Sequence, residues 1–334
     1  MPMYVFTDGE RARLCAALGR IAEHPYQEYE AFSHSVARLA ASPEIPASLS
    51  RVLGRIRTER AEGTSNAHVL RNCPIDEEIP VLTGADPVAD KRAKKKTFVG
   101  EAFLALVAAL SRTPLMAYSS RNDGDFFTDV VAIDKYHGMQ TGFSDSELVY
   151  HNDRTAHWAR ADYIALLGLR CPEQEFIYTS YVDGARLLEH LSAEHEAVLR
   201  RPHFVTSFDV YSRDTNRRQS VSDPHAIFEG HHDVRYLDTF TRVNPGAPEA
   251  AKDALLALRD ALVLAGKQRH RLRTGDLLLF ANQAGLHSRD KMEINDAERA
   301  RTRWLLKTYT FADDAAADRF ADRWHGGVRG LISD

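Results

Sequence analysis

The chain has 334 residues, 44% hydrophobic and 27% charged, with a formal net charge of −4. That balance describes a soluble globular protein and argues against nucleic acid as a partner, since phosphate-binding chains carry a marked basic surplus. The sequence holds no apolar run near the roughly 18 residues that a membrane-crossing helix needs. Its first residues also lack the basic and apolar regions of a secretory signal. Cys15, Cys73 and Cys171 are isolated and odd in number, so they read as reduced thiols in a cytoplasmic protein whose partner is a small molecule.

In chain order, the first third is helical. Thr7 and Glu10 have capping-box spacing, with Leu14, Leu18 and Ile21 on one face behind them. A second helix carries Tyr29, Phe32, Val36 and Leu39, and a third follows Pro46 with Leu49, Val52, Leu53 and Ile56. Residues 59–66 read as a connector and Ile79-Pro80-Val81-Leu82 as the first core strand. The run Lys91-Arg92-Ala93-Lys94-Lys95-Lys96 reads as a solvated loop, and 98–110 as a buried helix. From residue 125 the period changes to that of strands: 127–133, 147–151, 163–169, 176–179 and 204–210, later 277–280 and 304–309, with helices around 182–199 and 248–264. Phe320 and Trp324 mark a short covering helix.

Antiparallel strands with helical insertions predict an α+β, mainly β protein with a jelly-roll (double-stranded β-helix) core. We expect one domain, with an N-terminal helical region over 1–75, the core over 76–312 and a helical tail over 313–334. No glycine-rich phosphate loop is present.

His151-Asn152-Asp153 ends an apolar strand, and its histidine and aspartate share a face by period 2. Such a pair supplies two of the three ligands of a 2-His-1-carboxylate iron site. The third histidine is sought among His203, His225, His231, His232 and His287. His231 and His232 sit in a turn-like segment and His203 opens a strand, whereas His287 follows a buried strand and precedes Arg303, which opens another. A metal-bound keto acid needs a cation for its far carboxylate, which the Arg303 fork would provide; alternatively Arg303 pairs with Asp129 or Glu147.

The motifs 96–103, 151–158, 160–170, 275–282, His287-Ser288-Arg289 and Arg303-Trp304-Leu305 together resemble the clavaminate synthase-like branch of the iron(II)/2-oxoglutarate-dependent oxygenases. The resemblance covers roughly residues 96–311. It implies that His151, Asp153 and His287 bind iron, and that Arg303, helped by Thr179, holds 2-oxoglutarate. The spacing from His287 leaves Arg301 as a competing anchor. Relatives often read His-Thr-Glu at the first ligand pair, where this chain has His151-Asn152-Asp153. Among the hydroxylases, the version with Arg154-Thr155-Ala156-His157 is similar to enzymes acting on free L-lysine and to related lysine halogenases. The halogenases lack the ligand carboxylate, so Asp153 points to hydroxylation.

The implied reaction uses iron(II), 2-oxoglutarate and O2 to hydroxylate C4 or C3 of a free basic amino acid, first of all L-lysine, with release of succinate and CO2. Arginine, ornithine or asparagine, free or carrier-tethered, are the alternatives. A zinc hydrolase or a non-enzymatic amino-acid-binding barrel are the competing classes. Candidate substrate contacts are Lys307, on the face of Arg303, then Asp238, Gln140, Glu147, His157 and Asp129. Oligomeric state is open, a homo-oligomer included.

Overall fold

The computed structural model describes residues 3–209 and 220–333. Its strands run Tyr4–Val5 (β1), Ala67–Arg71 (β2), Leu115–Tyr118 (β3), Thr128–Val130 (β4), Leu148–His151 (β5), Tyr163–Arg170 (β6), Phe176–Asp183 (β7) and Phe204–Thr206 (β8). Phe228–Glu229 (β9), Asp233–Val234 (β10), Thr241–Val243 (β11), Gln268–His270 (β12), Leu277–Ala281 (β13), Gly285–Glu293 (β14), Trp304–Thr310 (β15) and Leu331–Ile332 (β16) follow. The helices are Asp8–Leu18 (α1), Tyr29–Ala40 (α2), Ala47–Ala61 (α3), Pro87–Lys94 (α4), Val99–Ser111 (α5), Gly184–Leu188 (α6), Ala193–Leu199 (α7), Ala250–Leu264 (α8), Ala297–Arg301 (α9) and Asp314–Asp318 (α10).

Two sheets carry the architecture. The larger has the order β1-β2-β13-β6-β15-β3-β16, with β4 also on β15, and the smaller has the order β12-β7-β14-β5. Except for the edge pairs β1–β2 and β16–β3, pairing is antiparallel. The larger sheet is buried on both faces, which explains why its strands read as almost unbroken apolar runs. Leu167, Leu169, Leu277, Leu279, Trp304 and Leu306 pack under the N-terminal helices. Ile164, Leu166, Leu278, Phe280 and Leu305 point the other way, where Tyr181 of the smaller sheet meets them. Val182 and Leu286, on the outer face of the smaller sheet, are covered by α8 through Leu255, Leu258 and Leu262.

The helices start and bury as their spacing predicts. Thr7 and Glu10 form the capping box, and Leu49, Val52, Leu53 and Ile56 are all buried.

Several local expectations fail for tertiary reasons. Ile79-Pro80-Val81-Leu82 is not a strand: proline cannot donate to a ladder, and Val81 is 54% exposed. The strand that joins the larger sheet is instead β2, just after the supposed connector. β4 covers only three of the residues expected from 127–133, and the strand expected over 204–210 ends at Thr206, Val210 lying outside the described residues. β7 runs on to Asp183, so the helices begin later than expected. Residues 285–293, absent from the expected strands, form the nine-residue β14.

The lysine run is not a solvated loop either. Lys91 and Lys95 are 1% and 3% exposed. Lys91 pairs with Asp129 at 2.7 Å, and Lys95 joins Asp76 at 2.8 Å and Glu101 at 2.7 Å. Both lysines stitch α4 and the turn after it to the wall behind the larger sheet. Lys95→Ala would strand two buried carboxylates, at about 3–5 kcal/mol of stability. The expected result in urea unfolding is a much lower midpoint, with Glu101→Gln in the Lys95→Ala background recovering part of it.

His225 gives the fold an acid-side limit. It is 4% exposed, its Nε2 lies 2.9 Å from the Thr206 hydroxyl and its Nδ1 lies 2.8 Å from the Ala226 carbonyl. Burial, reinforced by Arg235, pushes its pKa down to about 3. A histidine depressed in the folded state stabilises fully above its unfolded pKa, and that contribution is lost as pH falls below about 6.5. Between pH 7 and pH 4.5 the loss is on the order of 2–3 kcal/mol. Urea midpoints at the two pH values should therefore converge in His225→Gln relative to the parent chain.

Candidate metal centre

β5 and β14 are neighbours, and their register sets His151 directly opposite His287. Two imidazoles on adjacent strands at the same level must face each other, and their ring centroids are 4.2 Å apart. Asp153 follows β5 by two residues and returns to the same side. Its Oδ1 lies 3.3 Å from His151 Nε2 and 3.6 Å from His287 Nε2. One donor atom from each of the three residues falls within 4.8 Å of the others. Arg154, at φ 62°, turns the chain away immediately afterwards.

The surroundings fix which atoms are offered. His151 Nδ1 lies 2.8 Å from the Val149 carbonyl, which leaves Nε2 for the centre. Asp153 Oδ2 accepts from Lys307 Nζ at 2.7 Å and from the Tyr309 hydroxyl at 2.8 Å, which leaves Oδ1. Burial opposes charge on Asp153, but the Lys307 ammonium and hydrogen bonds from both histidines outweigh it and hold the carboxyl well below its usual range. Burial, then the neighbouring His151, pushes His287 down to about 4. An ionised carboxylate beside a neutral imidazole is the state a divalent metal requires. The donor set, two imidazole nitrogens and one carboxylate oxygen, fits iron(II).

Two buried asparagines hold this geometry. The Asn282 side chain accepts from the Asp153 amide at 2.8 Å and donates to the carbonyls of Ala161 at 3.0 Å and Asp153 at 3.3 Å. Asn152 Nδ2 donates to Asn282 O at 2.5 Å and Gly285 O at 2.8 Å, and its Oδ1 accepts from the Tyr236 amide at 2.9 Å. Gly285 has no room for a side chain, since an added Cβ would lie 2.4 Å from the Val182 carbonyl.

Two cavities meet at the triad. One, of about 460 Å³, is lined by His151, Asp153, Thr179, His287, Arg289 and Arg303. Arg303 is 9% exposed and burial lowers its pKa, and among the described residues no carboxylate forms an ion pair with it; the Cys171 thiol is its neighbour. The other, a cleft of about 700 Å³, is lined on its far side by Arg121, Gln140, Arg154 and Asp209, and Lys307 borders both cavities.

The structure brings together His151, Asp153, His287, Thr179, Arg303 and Lys307. The remaining candidates fall elsewhere. Arg301 turns outward from α9 to Asp134 and, at 2.9 Å, Asp145. Asp129 cannot serve the cleft, because its carboxylate is taken by Lys91 and by Trp304 Nε1 at 2.9 Å, which also removes it as a partner for Arg303. Glu147 is exposed, and its carbonyl accepts from Gln140. Asp238 caps its own turn, accepting from Tyr236 Oη at 2.7 Å and the Thr239 amide at 2.9 Å. His157 borders the cleft, but its Nδ1 is engaged with the Ala159 main chain. Gln140 is a wall residue that bonds the Val149 amide at 3.2 Å. Lys307 meets a carboxylate as expected of it, although that carboxylate is Asp153.

Sequence reasoning missed Asn152, Asn282, Tyr309, Arg289, Arg121 and Asp209. Tyr309 and Arg289 were recoverable from period 2, each lying two residues from a chosen position on its strand.

Two imidazoles and a carboxylate at the junction of two cavities, the smaller lined by a buried arginine, are what an iron(II) oxygenase with a keto-acid co-substrate needs. The chain belongs to the taurine catabolism dioxygenase TauD, TfdA family, whose model matches residues 98–309. It is 26% identical over 271 residues to an L-asparagine oxygenase of Streptomyces coelicolor, covering 80% of this chain and 77% of that one. It is 25% identical over 302 residues to an enduracididine beta-hydroxylase of Streptomyces hygroscopicus, covering 82% and 85%. In fold it matches asparagine oxygenase solved with Fe(II), 2S,3S-3-hydroxyasparagine and succinate, at a TM-score of 0.82, 20% identity and 99% coverage of both chains. It also matches the non-heme iron oxygenase OrfP solved with Fe and alpha-ketoglutaric acid, at 0.77, 21% identity and coverage of 98% and 99%. The protein is thus a 2-oxoglutarate-dependent dioxygenase of the amino-acid hydroxylase kind, using iron(II), 2-oxoglutarate and O2.

Removing the Asn282 clamp should weaken iron without removing a ligand. We expect Asn282→Ala to lose about 10- to 100-fold in iron(II) affinity by anaerobic calorimetry. His287→Ala should show no specific binding at all.

Proposed function

We propose that the protein hydroxylates an unactivated carbon, C3 or C4, of a free basic amino acid, with L-lysine the first substrate and arginine and ornithine next, and that its core is a double-stranded β-helix. His151, Asp153 and His287 would hold iron(II), and Arg303 with Thr179 would hold 2-oxoglutarate. Iron and co-substrate, when bound, supply the oxidising power: the keto acid leaves as succinate and CO2 while one oxygen atom of O2 enters a substrate C–H bond.

The observation that carries this reading is the shared wall. His151, Asp153 and Lys307 border both cavities, so a dicarboxylate under Arg303 and an amino acid in the cleft meet the same metal from different sides. The chain's own residues then do three things. Arg303 presents a rigid fork to the far carboxylate, in a pocket where its charge is otherwise unmatched by a carboxylate among the described residues. Lys307 and Tyr309 hold Asp153 in one rotamer. Arg121 and Arg154 supply cations for a substrate carboxylate and Asp209 an anion for an amine, which fixes the carbon presented to the metal. Asp209 already pairs with Arg121 at 3.3 Å, so a substrate would enter by exchanging partners with that bridge.

A second reading is asparagine. Among the described residues the cleft offers one carboxylate, Asp209, besides Asp153 and Asp129, which is held by Lys91 and Trp304, and an amide side chain makes less demand on acids than a second amine does. The cytoplasm is the proposed compartment, supported by three free cysteines and by the lack, among the described residues, of a helix long and apolar enough to cross a membrane.

A mass-spectrometric screen of free amino acids with iron(II), ascorbate and 2-oxoglutarate tests the reading. We expect a hydroxylated product on lysine and succinate in equal amount. No product from any free amino acid would overturn it, and product on asparagine alone would select the second reading. Arg303→Gln should raise KM for 2-oxoglutarate by about 30- to 100-fold, the worth of a lost charge-assisted pair.

A further inference from the structure

Arg289 belongs to none of the roles above. It follows His287 by two residues on β14, so it leaves the strand on the same face, opposite Thr179 of β7. It lines the co-substrate cavity beside Arg303, whose positive charge acts on it. Asp145, whose charge also reaches it, is bonded at 2.9 Å to Arg301 instead.

The Arg289 donors go to main-chain carbonyls of a single loop. Nε donates to Ser146 O at 2.9 Å, and the two terminal nitrogens donate to Gly142 O at 3.2 Å and Thr141 O at 3.4 Å. That loop forms the substrate side of the site: Gln140, Thr141, Gly142 and Phe143 line the cleft, and Gly142 also lines the co-substrate cavity. Its other ties among the described residues include the Phe143 carbonyl, which accepts from the Ile133 amide at 2.8 Å, Asp145 to Arg301, and Gln140 to the main chain of Glu147 and Val149. Arg289 is the side chain of the co-substrate cavity that, among the described residues, bonds this loop.

We propose that Arg289 is a positioning residue that passes occupancy of the 2-oxoglutarate cavity to residues 140–146, setting the wall against which the amino acid is seated. This rests on the functional reading given above. Two guanidinium groups facing one cavity repel each other until a dicarboxylate lies between them. That anion removes the repulsion and secures Arg289 where its fork reaches all three carbonyls, and a planar fork satisfies them in one loop conformation only. Coupling of this kind is reciprocal: whatever factor the co-substrate adds to substrate affinity, the substrate returns to the co-substrate. Occupancy of the co-substrate cavity therefore favours productive seating of the amino acid.

The test uses the full chain, anaerobically loaded with iron(II), with and without N-oxalylglycine as a 2-oxoglutarate analogue that is not decarboxylated. Hydrogen exchange of backbone amides 138–147 should slow by about tenfold or more when the analogue binds. In Arg289→Lys, a point charge that cannot span three carbonyls, that protection should disappear. The visible charge-transfer band of iron(II) with 2-oxoglutarate should still form, with affinity within about threefold of the parent, while KM for the amino acid rises about tenfold or more. Succinate should then exceed hydroxylated product, where the parent makes them in equal amount. Unchanged exchange in the parent on analogue binding overturns the proposal whatever the variant does. So does an Arg289→Lys protein in which 2-oxoglutarate affinity and amino-acid KM weaken equally, since Arg289 would then be only a second anchor for the dicarboxylate. Absence of the charge-transfer band in the parent would bring down the functional reading itself, a result distinct from a band with unchanged exchange.

Discussion

The register between β5 and β14 is the constraint on which the rest of the site depends. His151 and His287 are far apart in the chain, yet they become facing partners because one antiparallel ladder sets them at the same level. A slip of one residue would turn His287 to the opposite face of its strand, toward the cluster where Leu286 now packs under α8. Packing on both faces of the smaller sheet therefore protects the register, and the register in turn protects the metal geometry. Gly285 contributes to the same end, since only a residue without a side chain allows β14 to run this close to Tyr181 and Val182.

Around that fixed pair the electrostatics are divided with economy. Asp153 is the anion shared by everything near it: one oxygen faces the histidines and the other is matched by Lys307 and Tyr309. Lys307 is thereby committed to Asp153 and only secondarily to the cleft, whose lining also includes Arg121 and Arg154. Arg303 is buried with no carboxylate paired to it among the described residues, whereas Lys91 and Lys95, also buried, each lie against carboxylates. A buried guanidinium is costly unless an anion arrives. The contrast between the matched lysines and the unmatched arginine is the physical argument for a dicarboxylate site.

Much of this was legible from residues. Short apolar or alternating runs located β5, β6, β13 and β15, and period 3.6 located the N-terminal helices, because each is amphipathic or fully apolar over enough residues to carry a signal. The metal ligands and Arg303 came from the same reasoning, aided by the family resemblance. The acids offered for the substrate have other partners or face solvent. Asp129 was offered from its apolar strand, Asp238 from the family resemblance and Glu147 from strand alternation, none of which speaks to a competing partner or to exposure. Lys91, Trp304 and Tyr236 come from elsewhere in the chain or from a bend that alternation does not describe. The lysine run failed likewise: a charged hexapeptide reads as surface unless its carboxylates, at positions 76, 101 and 129, are known to be waiting inside.

By itself, then, the sequence determined the element types, the facing of each strand and the chemistry of the ligand set, since these follow from side-chain identity and local period. The tertiary structure decided which histidine faces His151 across a ladder, which cations are matched, and which loop borders both cavities. Those outcomes depend on pairings between different elements, from Lys95 and Glu101 six positions apart to Arg289 and Ser146, which are 143 apart, and no local pattern encodes the identity of such a partner.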